Sequence, residues 1–163
     1  MLVLGIDPGT ATTGYGLVRE HDDGRLEAVA YGVITTKPRV PMPDRLMELH
    51  RAITDLITTY QPDAAAVEVL FFGKNVTNGI TVAQGRGVIL LALAEAGLPI
   101  REYKPAEMKQ AVAGYGTADK WLVQEMIRQL LNLDGIPKPD DAADGLGIAI
   151  TDLNSSRFER MAQ

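Results

Sequence analysis

The stretch Leu2–Val18, which reads LVLGIDPGTATTGYGLV, decides the fold of this chain. Its first half is an aliphatic run interrupted only by Gly5, which is typical of a buried central strand, and the run ends on the carboxylate Asp7. The Pro-Gly pair that follows is a turn signal, and the alternation over Thr12–Val18 predicts a second strand, antiparallel to the first. Asp7 is therefore expected beside a hairpin in the middle of a sheet. By itself it is equally well explained as an acid that binds the amides of its own turn.

The composition is that of one globular domain. The 163 residues are 46% hydrophobic and 23% charged, so we expect a single domain over residues 1–163. No cysteine occurs, which excludes a disulfide framework, a thiolate metal site and a cysteine nucleophile, and suits a reducing compartment. The longest apolar stretch, Val88–Ala94, is far shorter than the ~20 residues that span a bilayer. With no basic leader before the first strand, a soluble cytoplasmic protein is expected.

Hydrophobic periodicity predicts the next three elements. Arg25–Ile34 alternates as a third strand, and Asp44–Tyr60 has the three- and four-residue spacing of an amphipathic helix. The apolar run Ala64–Leu70 predicts a strand, and because a crossover helix leads to it, it should be parallel to its neighbour. Its single charge is Glu68, so a second acid lies in a second central strand.

The second half of the chain predicts four further elements. These are a long helix over Asn75–Ala96 with Asn75 as candidate N-cap, an edge strand at Pro99–Tyr103, and helices at Pro105–Ala113 and Ala118–Leu131. Small residues leave the long helix a shallow face, which suits close packing either on its own sheet or on a second subunit. The predicted fold class is α/β, a five-stranded mixed sheet with an antiparallel second strand and helices on both faces.

A last helix is predicted over Pro139–Ile150, with three acids near its start. Acids are favoured there by the unpaired amides and the helix dipole, which accounts for Asp140 but not for Asp144. Asp141 and Asp144 are three residues apart and share a face, which Ile148 continues into the core. Acids on a core-facing stripe are unfavourable unless a positive group neutralises them.

Four carboxylates embedded in apolar elements therefore predict a metal site. These are Asp7, Glu68, Asp141 and Asp144. Held together, they would repel one another and raise one another's pKa unless cations lay among them. Oxygen ligands in this number, with no histidine among them, suit magnesium or manganese, and magnesium bound partly through water is the simplest occupant. Two such ions about 3.5–4 Å apart would stabilise the attacking and leaving oxygens of a displacement at a phosphodiester, with Asp7 as the bridging ligand.

The net charge of −5 argues against a nucleic-acid partner, because phosphate contacts need lysine and arginine. Of the 21 acidic residues, however, 17 remain against 16 basic residues once the four site acids are set aside. Residues 71–120 carry six basic and four acidic residues, a net charge of +2. A DNA-facing surface can therefore be built from this middle third, although each lysine alone is also explained as an ordinary solvated charge.

Three blocks resemble the RuvC family of bacterial Holliday junction resolvases, which have a ribonuclease H-like fold. They are GIDPGT near the start, VEVLFFGKN in the middle and DDAADGLGIAI near the end; the blocks in this order are jointly specific, and the resemblance covers essentially the whole chain. GIDPGT alone is less specific, since actin-like ATPases carry similar openings. The resemblance implies that the catalytic, metal-binding acids are Asp7, Glu68, Asp141 and Asp144.

The resemblance also assigns basic and aromatic residues. The family's aromatic residue near the junction centre falls on Phe71, and its two basic residues near the scissile phosphate, counted here as catalytic, fall on Lys109 and Lys120. Without the resemblance, Phe71 is more simply a core residue. The full set of candidate DNA contacts is Phe71, Lys74, Arg86, Lys104, Lys109 and Lys120. The basic tail of some members is not matched by SSRFERMAQ.

The acidic residues predict a magnesium-dependent nuclease, and the resemblance implies an endonuclease that nicks paired strands of a four-way DNA junction in recombination and repair. The resemblance implies 5′-phosphate and 3′-hydroxyl ends, a homodimer, and a branch-migration helicase of the RuvA and RuvB type as partner. Two alternatives stay open. One is a ribonuclease H-like nuclease with another nucleic-acid substrate. The other is an actin-like phosphate-binding domain, which normally needs two domains and a nucleotide cleft.

Overall fold

The structure is a computed structural model that describes residues 1–69 and 76–162, with backbone only for residues 76–78. Within these ranges the chain forms five strands and five helices. The strands are β1 (Leu2–Asp7), β2 (Thr12–Glu20), β3 (Leu26–Thr35), β4 (Ala64–Glu68) and β5 (Ile100–Tyr103). The helices are α1 (Met42–Tyr60), α2 (Val76–Glu95), α3 (Pro105–Ala113), α4 (Lys120–Leu130) and α5 (Asp140–Met161). In these ranges no helix is both long and apolar enough to cross a bilayer.

The described strands form one mixed sheet in the order β3-β2-β1-β4-β5. Strand β1 pairs antiparallel with β2 and parallel with β4, in the register Ile6 opposite Val67, and β5 lies parallel to β4 at the edge. The predicted mixed sheet, its central first strand and its antiparallel second strand are thereby confirmed. The first strand is central because its residues are buried on both faces, as Val3 and Leu4 illustrate.

Helices cover both faces of the sheet, as predicted. Helices α1 and α2 pack on one face, where Leu4 and Ile6 of β1 meet Leu49, Ile53 and Leu93. Helices α3, α4 and α5 pack on the other face. The buried residues of that second core include Val3, Val18, Met108, Ile127, Leu146 and Ile150. Because side chains alternate along a strand, Asp7 points to the same side as Val3, toward α5.

Helix α5 lies unusually close to the first two strands, since glycines face one another across the contact. A Cβ atom added to Gly16 would lie 2.5 Å from the backbone nitrogen of Leu146. One added to Gly145 would lie 2.5 Å from the carbonyl carbon of Tyr15, and one added to Gly5 would overlap the Gly145 carbonyl oxygen. No side chain fits in these places, so backbone packs directly on backbone.

The last helix is much longer than predicted, because it continues past Ile150 to Met161. The added turns are held by contacts distant in sequence. The fully buried Asp152 accepts a hydrogen bond of 3.0 Å from the hydroxyl of Tyr103, and Arg157 Nε donates to Glu20 at 2.8 Å. The absence of glycine and proline over residues 151–161 was a signal for this extension.

The remaining boundaries differ from the prediction by one or two residues. Helix α4 begins at Lys120 rather than Ala118, because the side chain of Asp119 caps it by accepting a 2.9 Å hydrogen bond from the Leu122 amide. The predicted stop of α2 at Gly97 is borne out by its positive φ of 69°. The candidate N-cap Asn75 lies outside the described residues.

The glycine contact under α5 can be tested with Gly16→Ala. We expect the added methyl to overlap the α5 backbone and to lower the free energy of unfolding by about 1–3 kcal/mol. The matched control is Gly87→Ala in α2, where an added Cβ has no neighbour within 4 Å. That change should raise the free energy of unfolding by about 0.5–1 kcal/mol, as alanine does in a helix interior. Urea unfolding measures both, and equal stability of the two variants would contradict the close contact.

Candidate metal centre

Two of the predicted acids lie side by side at the ends of neighbouring parallel strands. Because Ile6 is level with Val67, the next residues, Asp7 and Glu68, meet at the same edge of the sheet. Both side chains point to the α5 face, and they are hydrogen-bonded to each other. The parallel pairing of β1 with β4 therefore builds half of the acidic group.

Helix α5 supplies the other half. It begins at Asp140, so Asp141 and Asp144 occupy its first two turns on one face. Gly14, the partner of Asp7 across the hairpin, has no side chain, and the backbone of Asp141 lies directly against it. As a result, carboxylate oxygens of Asp7, Asp141 and Asp144 all lie within 4.8 Å of one another.

Glu68 completes the predicted group without belonging to that closest trio. It reaches the trio through its hydrogen bond with Asp7, and its charge also acts on Asp144. All four acids predicted from the sequence are thus brought together at one end of the sheet.

The electrostatics of the group show how poorly it tolerates four negative charges. Burial, followed by the charges of Glu68 and Asp144, raises the pKa of Asp7 to about 9. Burial and Glu68 likewise raise the pKa of Asp144 to about 6. Burial also raises the pKa of Glu68, against the opposing effects of the Asp7 hydrogen bond and of Lys109. A cation among these acids would relieve both the burial of charge and the repulsion.

The donor set fits a hard divalent cation. All of its members are carboxylates, the ligands that magnesium and manganese prefer. The two histidines contact other acids, with Nε2 of His21 2.7 Å from Glu27 and Nε2 of His50 2.8 Å from Glu95. The residues that would hold the ions are therefore Asp7, Glu68, Asp141 and Asp144.

Two lysines share a cavity with these acids. A pocket of about 220 Å³ is lined by Glu68 and Asp144 together with Lys109 of α3 and Lys120 of α4. The two lysines predicted to contact the scissile phosphate therefore lie at the acidic group. A phosphate bound in this cavity would face the positive charges of the two lysines and of any cations that the acids bind.

One contact in this region was not predicted. The carboxylate of Asp140 forms a 2.6 Å ion pair with Nζ of Lys120. It also accepts hydrogen bonds from Lys138 and Gln124. These donors hold the pKa of Asp140 well below its usual range, and Asp140 raises the pKa of Lys120. The sequence suggested only that Asp140 is an acid favoured at a helix start. No local spacing links it to a lysine twenty positions away, because the pair forms through the packing of α4 beside α5.

Comparison with known proteins identifies the family. The model of the family "Crossover junction endodeoxyribonuclease RuvC" matches residues 3–152. The RuvC of Chloroflexus aggregans is 58% identical over 150 residues, which are 92% of this chain and 91% of that protein. This chain belongs to the RuvC family.

Solved RuvC structures agree with this assignment. The Thermus thermophilus RuvC structure has a TM-score of 0.91 at 35% identity, covering 98% of this chain and 97% of that one. The T. thermophilus RuvC in complex with a Holliday junction substrate has a TM-score of 0.89 at 32% identity, covering 97% and 96%. The ribonuclease H-like fold predicted from the sequence is therefore confirmed. RuvC nucleases use divalent metals, in keeping with the acidic group described above.

The other predicted DNA contacts of this chain have varied surroundings. Arg86 is mostly buried and forms an ion pair with Glu102 of β5. Lys104 is exposed at the start of α3, where its amide donates to Glu107 at 2.6 Å. Phe71 and Lys74 lie outside the described residues. Of the four candidates that the structure describes, Lys109 and Lys120 are the two placed at the acidic group.

The raised pKa of Asp7 predicts how stability depends on pH when divalent metal is absent. The folded chain holds the Asp7 proton up to about pH 9, whereas the ordinary pKa is 3.8. This contribution to stability is therefore complete below about pH 4 and is lost as the pH rises toward 9. We expect urea unfolding in chelator to show falling stability across this window, and Asp7→Asn to show a shallower fall. A fall of equal slope in the variant would contradict the burial of Asp7 among like charges.

Proposed function

We propose that this chain is a magnesium-dependent endonuclease that resolves four-way DNA junctions in the cytoplasm, by paired symmetric nicks, during recombination and repair. Each nick would leave a 5′-phosphate and a 3′-hydroxyl end. The observation that carries the proposal is the cluster of Asp7, Asp141 and Asp144, with oxygens within 4.8 Å of one another and Glu68 beside them. Divalent cations bound by these acids would neutralise their charge and would stabilise the transition state of phosphodiester hydrolysis.

The substrate is inferred from the family. A T. thermophilus relative with a TM-score of 0.89 and 32% identity was solved with a Holliday junction substrate. Family membership favours this function over the two alternatives, a nuclease for another nucleic acid and an actin-like phosphate-binding domain. Junction DNA is also consistent with the site, because the cavity beside the acids exposes two lysines to a phosphate backbone.

The acids, the two lysines and Phe71 would have different roles in binding and catalysis. Asp7, Glu68, Asp141 and Asp144 would hold the ions. When bound, two magnesium ions would stabilise the negative charge that develops on the attacking and leaving oxygens. Lys109 and Lys120 would contact the scissile phosphate and orient it against the acids. Phe71 remains a candidate for stacking on a base near the junction centre.

Paired nicks imply two active sites, and this has consequences for assembly. Within the described residues one acidic group of this kind is found, so we infer that a homodimer supplies the second site. Helix α2 fits this role, because Ile80 and Leu91 expose more than half of their surface among small residues. A branch-migration helicase of the RuvA and RuvB type is the partner we infer from the family.

Charge-removing substitutions of the acids test the metal site. Asp141→Asn and Glu68→Gln keep the shape of the side chain but relieve repulsion. In chelator we expect both variants to be at least as stable as the parent and to bind junction DNA more tightly. In magnesium, cleavage of a synthetic junction should fall by orders of magnitude, because a lost ligand unseats an ion.

Structural acids would give the opposite pattern. If they only anchored a turn and a helix start, the same substitutions should cost about 1–3 kcal/mol through unpaired buried amides. Variants that are destabilised but still cut would overturn the two-metal proposal. An RNA–DNA hybrid assayed beside the junction tests the substrate, and preferential cleavage of the hybrid would contradict junction resolution.

Lys120→Ala tests the contact with the scissile phosphate. If the lysine stabilises charge that develops in the transition state, single-turnover cleavage should slow by roughly 100-fold. Junction affinity should change by less than about threefold, because one phosphate contact among many contributes little. Lys37→Ala is the matched control, because Lys37 is exposed, lies outside the cavity lining and is not a candidate DNA contact; it should leave the cleavage rate of bound junction unchanged. Equal losses of affinity and rate in Lys120→Ala would reduce Lys120 to a generic contact.

A further inference from the structure

Asp140 stands next to the candidate metal ligand Asp141, yet its side chain takes no part in the acidic trio. One carboxylate oxygen is 2.6 Å from Nζ of Lys120. The other accepts hydrogen bonds from Nζ of Lys138 and from Nε2 of Gln124, both at 3.1 Å. Both oxygens of Asp140 are therefore occupied by donors, so this carboxylate is not available as a metal ligand.

The orientation of Asp140 is fixed from inside the protein. Gln124 is only 6% exposed, and its amide donates to Asp140 from the first turns of α4. The carboxylate thus links two helices, because the Asp140 backbone is at the start of α5 and two of its three partners, Lys120 and Gln124, are on α4. This arrangement leaves the Lys120 ammonium a defined place, although the lysine itself is 63% exposed.

Without such an anchor, Lys120 would have other carboxylates to bind. Asp144 and Asp141 also attract its ammonium, and Asp144 lines the same cavity. Because a lysine ammonium is a compact charge on a flexible stem, it can reach into an acidic group and stand in for a metal cation. The closer pairing with Asp140 competes against that outcome.

We propose that Asp140 is a positioning residue that holds the Lys120 ammonium beside the metal-binding acids and keeps it out of the place of the ions. The inference rests on the proposed function, since it assigns a use to the lysine at the scissile phosphate. On this proposal Asp140 is not a fifth metal ligand, and it does more than stabilise the start of α5. Its effect on cleavage is carried by Lys120.

A double-mutant cycle tests this dependence. Asp140→Asn should slow single-turnover junction cleavage by about 10-fold or more, while junction affinity in chelator changes by less than about threefold. In the Lys120→Ala background the same substitution should change cleavage by less than about twofold, because the residue it positions is gone. Asp140→Glu, which keeps the charge, should recover most of the parental rate.

Metal binding gives a second readout that does not depend on cleavage. Calorimetric titration with manganese should show weaker binding to Asp140→Asn than to the parent, since the released lysine competes for the acids. Adding Lys120→Ala should restore the affinity. A purely structural role for Asp140 would weaken metal binding equally with or without the lysine, and that result would overturn the inference.

A control on the same helix separates this effect from a general loss of ion pairs. Glu125→Gln breaks the 2.6 Å pair between Glu125 and Arg128 on α4 and should leave cleavage within about twofold of the parent. Thermal unfolding of each variant verifies that it is folded. Equal effects of Asp140→Asn in both backgrounds would overturn the positioning role. Parental cleavage by Lys120→Ala would instead overturn the role of the lysine in the proposed function.

Discussion

The structure depends on one contact, the backbone of α5 laid directly on the β1–β2 hairpin. Glycines on both sides remove the side chains that would hold helix and sheet apart, as at Gly16 and Gly145. The contact determines the geometry of the acidic group, because the start of α5 lies near the end of β1 only when helix and hairpin pack this closely. Asp141 and Asp144 then come within reach of Asp7. A helix that stood off the sheet by one more layer of side chains would leave three separate acids and no metal centre.

This packing brings together groups that repel each other. The raised pKa values of Asp7 and Asp144 show that the metal-free fold keeps protons on acids that would otherwise ionise. A cation that bound only the folded chain would replace those protons and stabilise the fold by mass action. Stability and metal occupancy would then be linked properties of one site. The large hydrophobic cores on both faces of the sheet supply the stability that holds the acids in place.

Much of this arrangement could be predicted from the sequence, because it follows from local patterns. The aliphatic run before Asp7 indicated a central strand, and the three-residue spacing of Asp141 and Asp144 indicated a shared helix face. The contact between Asp140 and Lys120 could not be predicted. It arises from the packing of two helices, and the sequence separation of the two residues follows no periodicity that would indicate a contact. The length of α5 was wrong for a related reason. The lack of glycine and proline over residues 151–161 allowed a longer helix, but the contacts of its added turns with Glu20 and Tyr103 arise only in the assembled sheet.

The candidate metal centre joins the first described strand to the last described helix. Asp7 is made early in synthesis, whereas Asp141 and Asp144 are translated more than a hundred residues later. A nascent chain that has folded its hairpin and its crossover helix therefore holds only part of the ligand set until α5 has emerged and docked. The carboxylates of Asp7, Asp141 and Asp144 can therefore come together only after α5 has been synthesised.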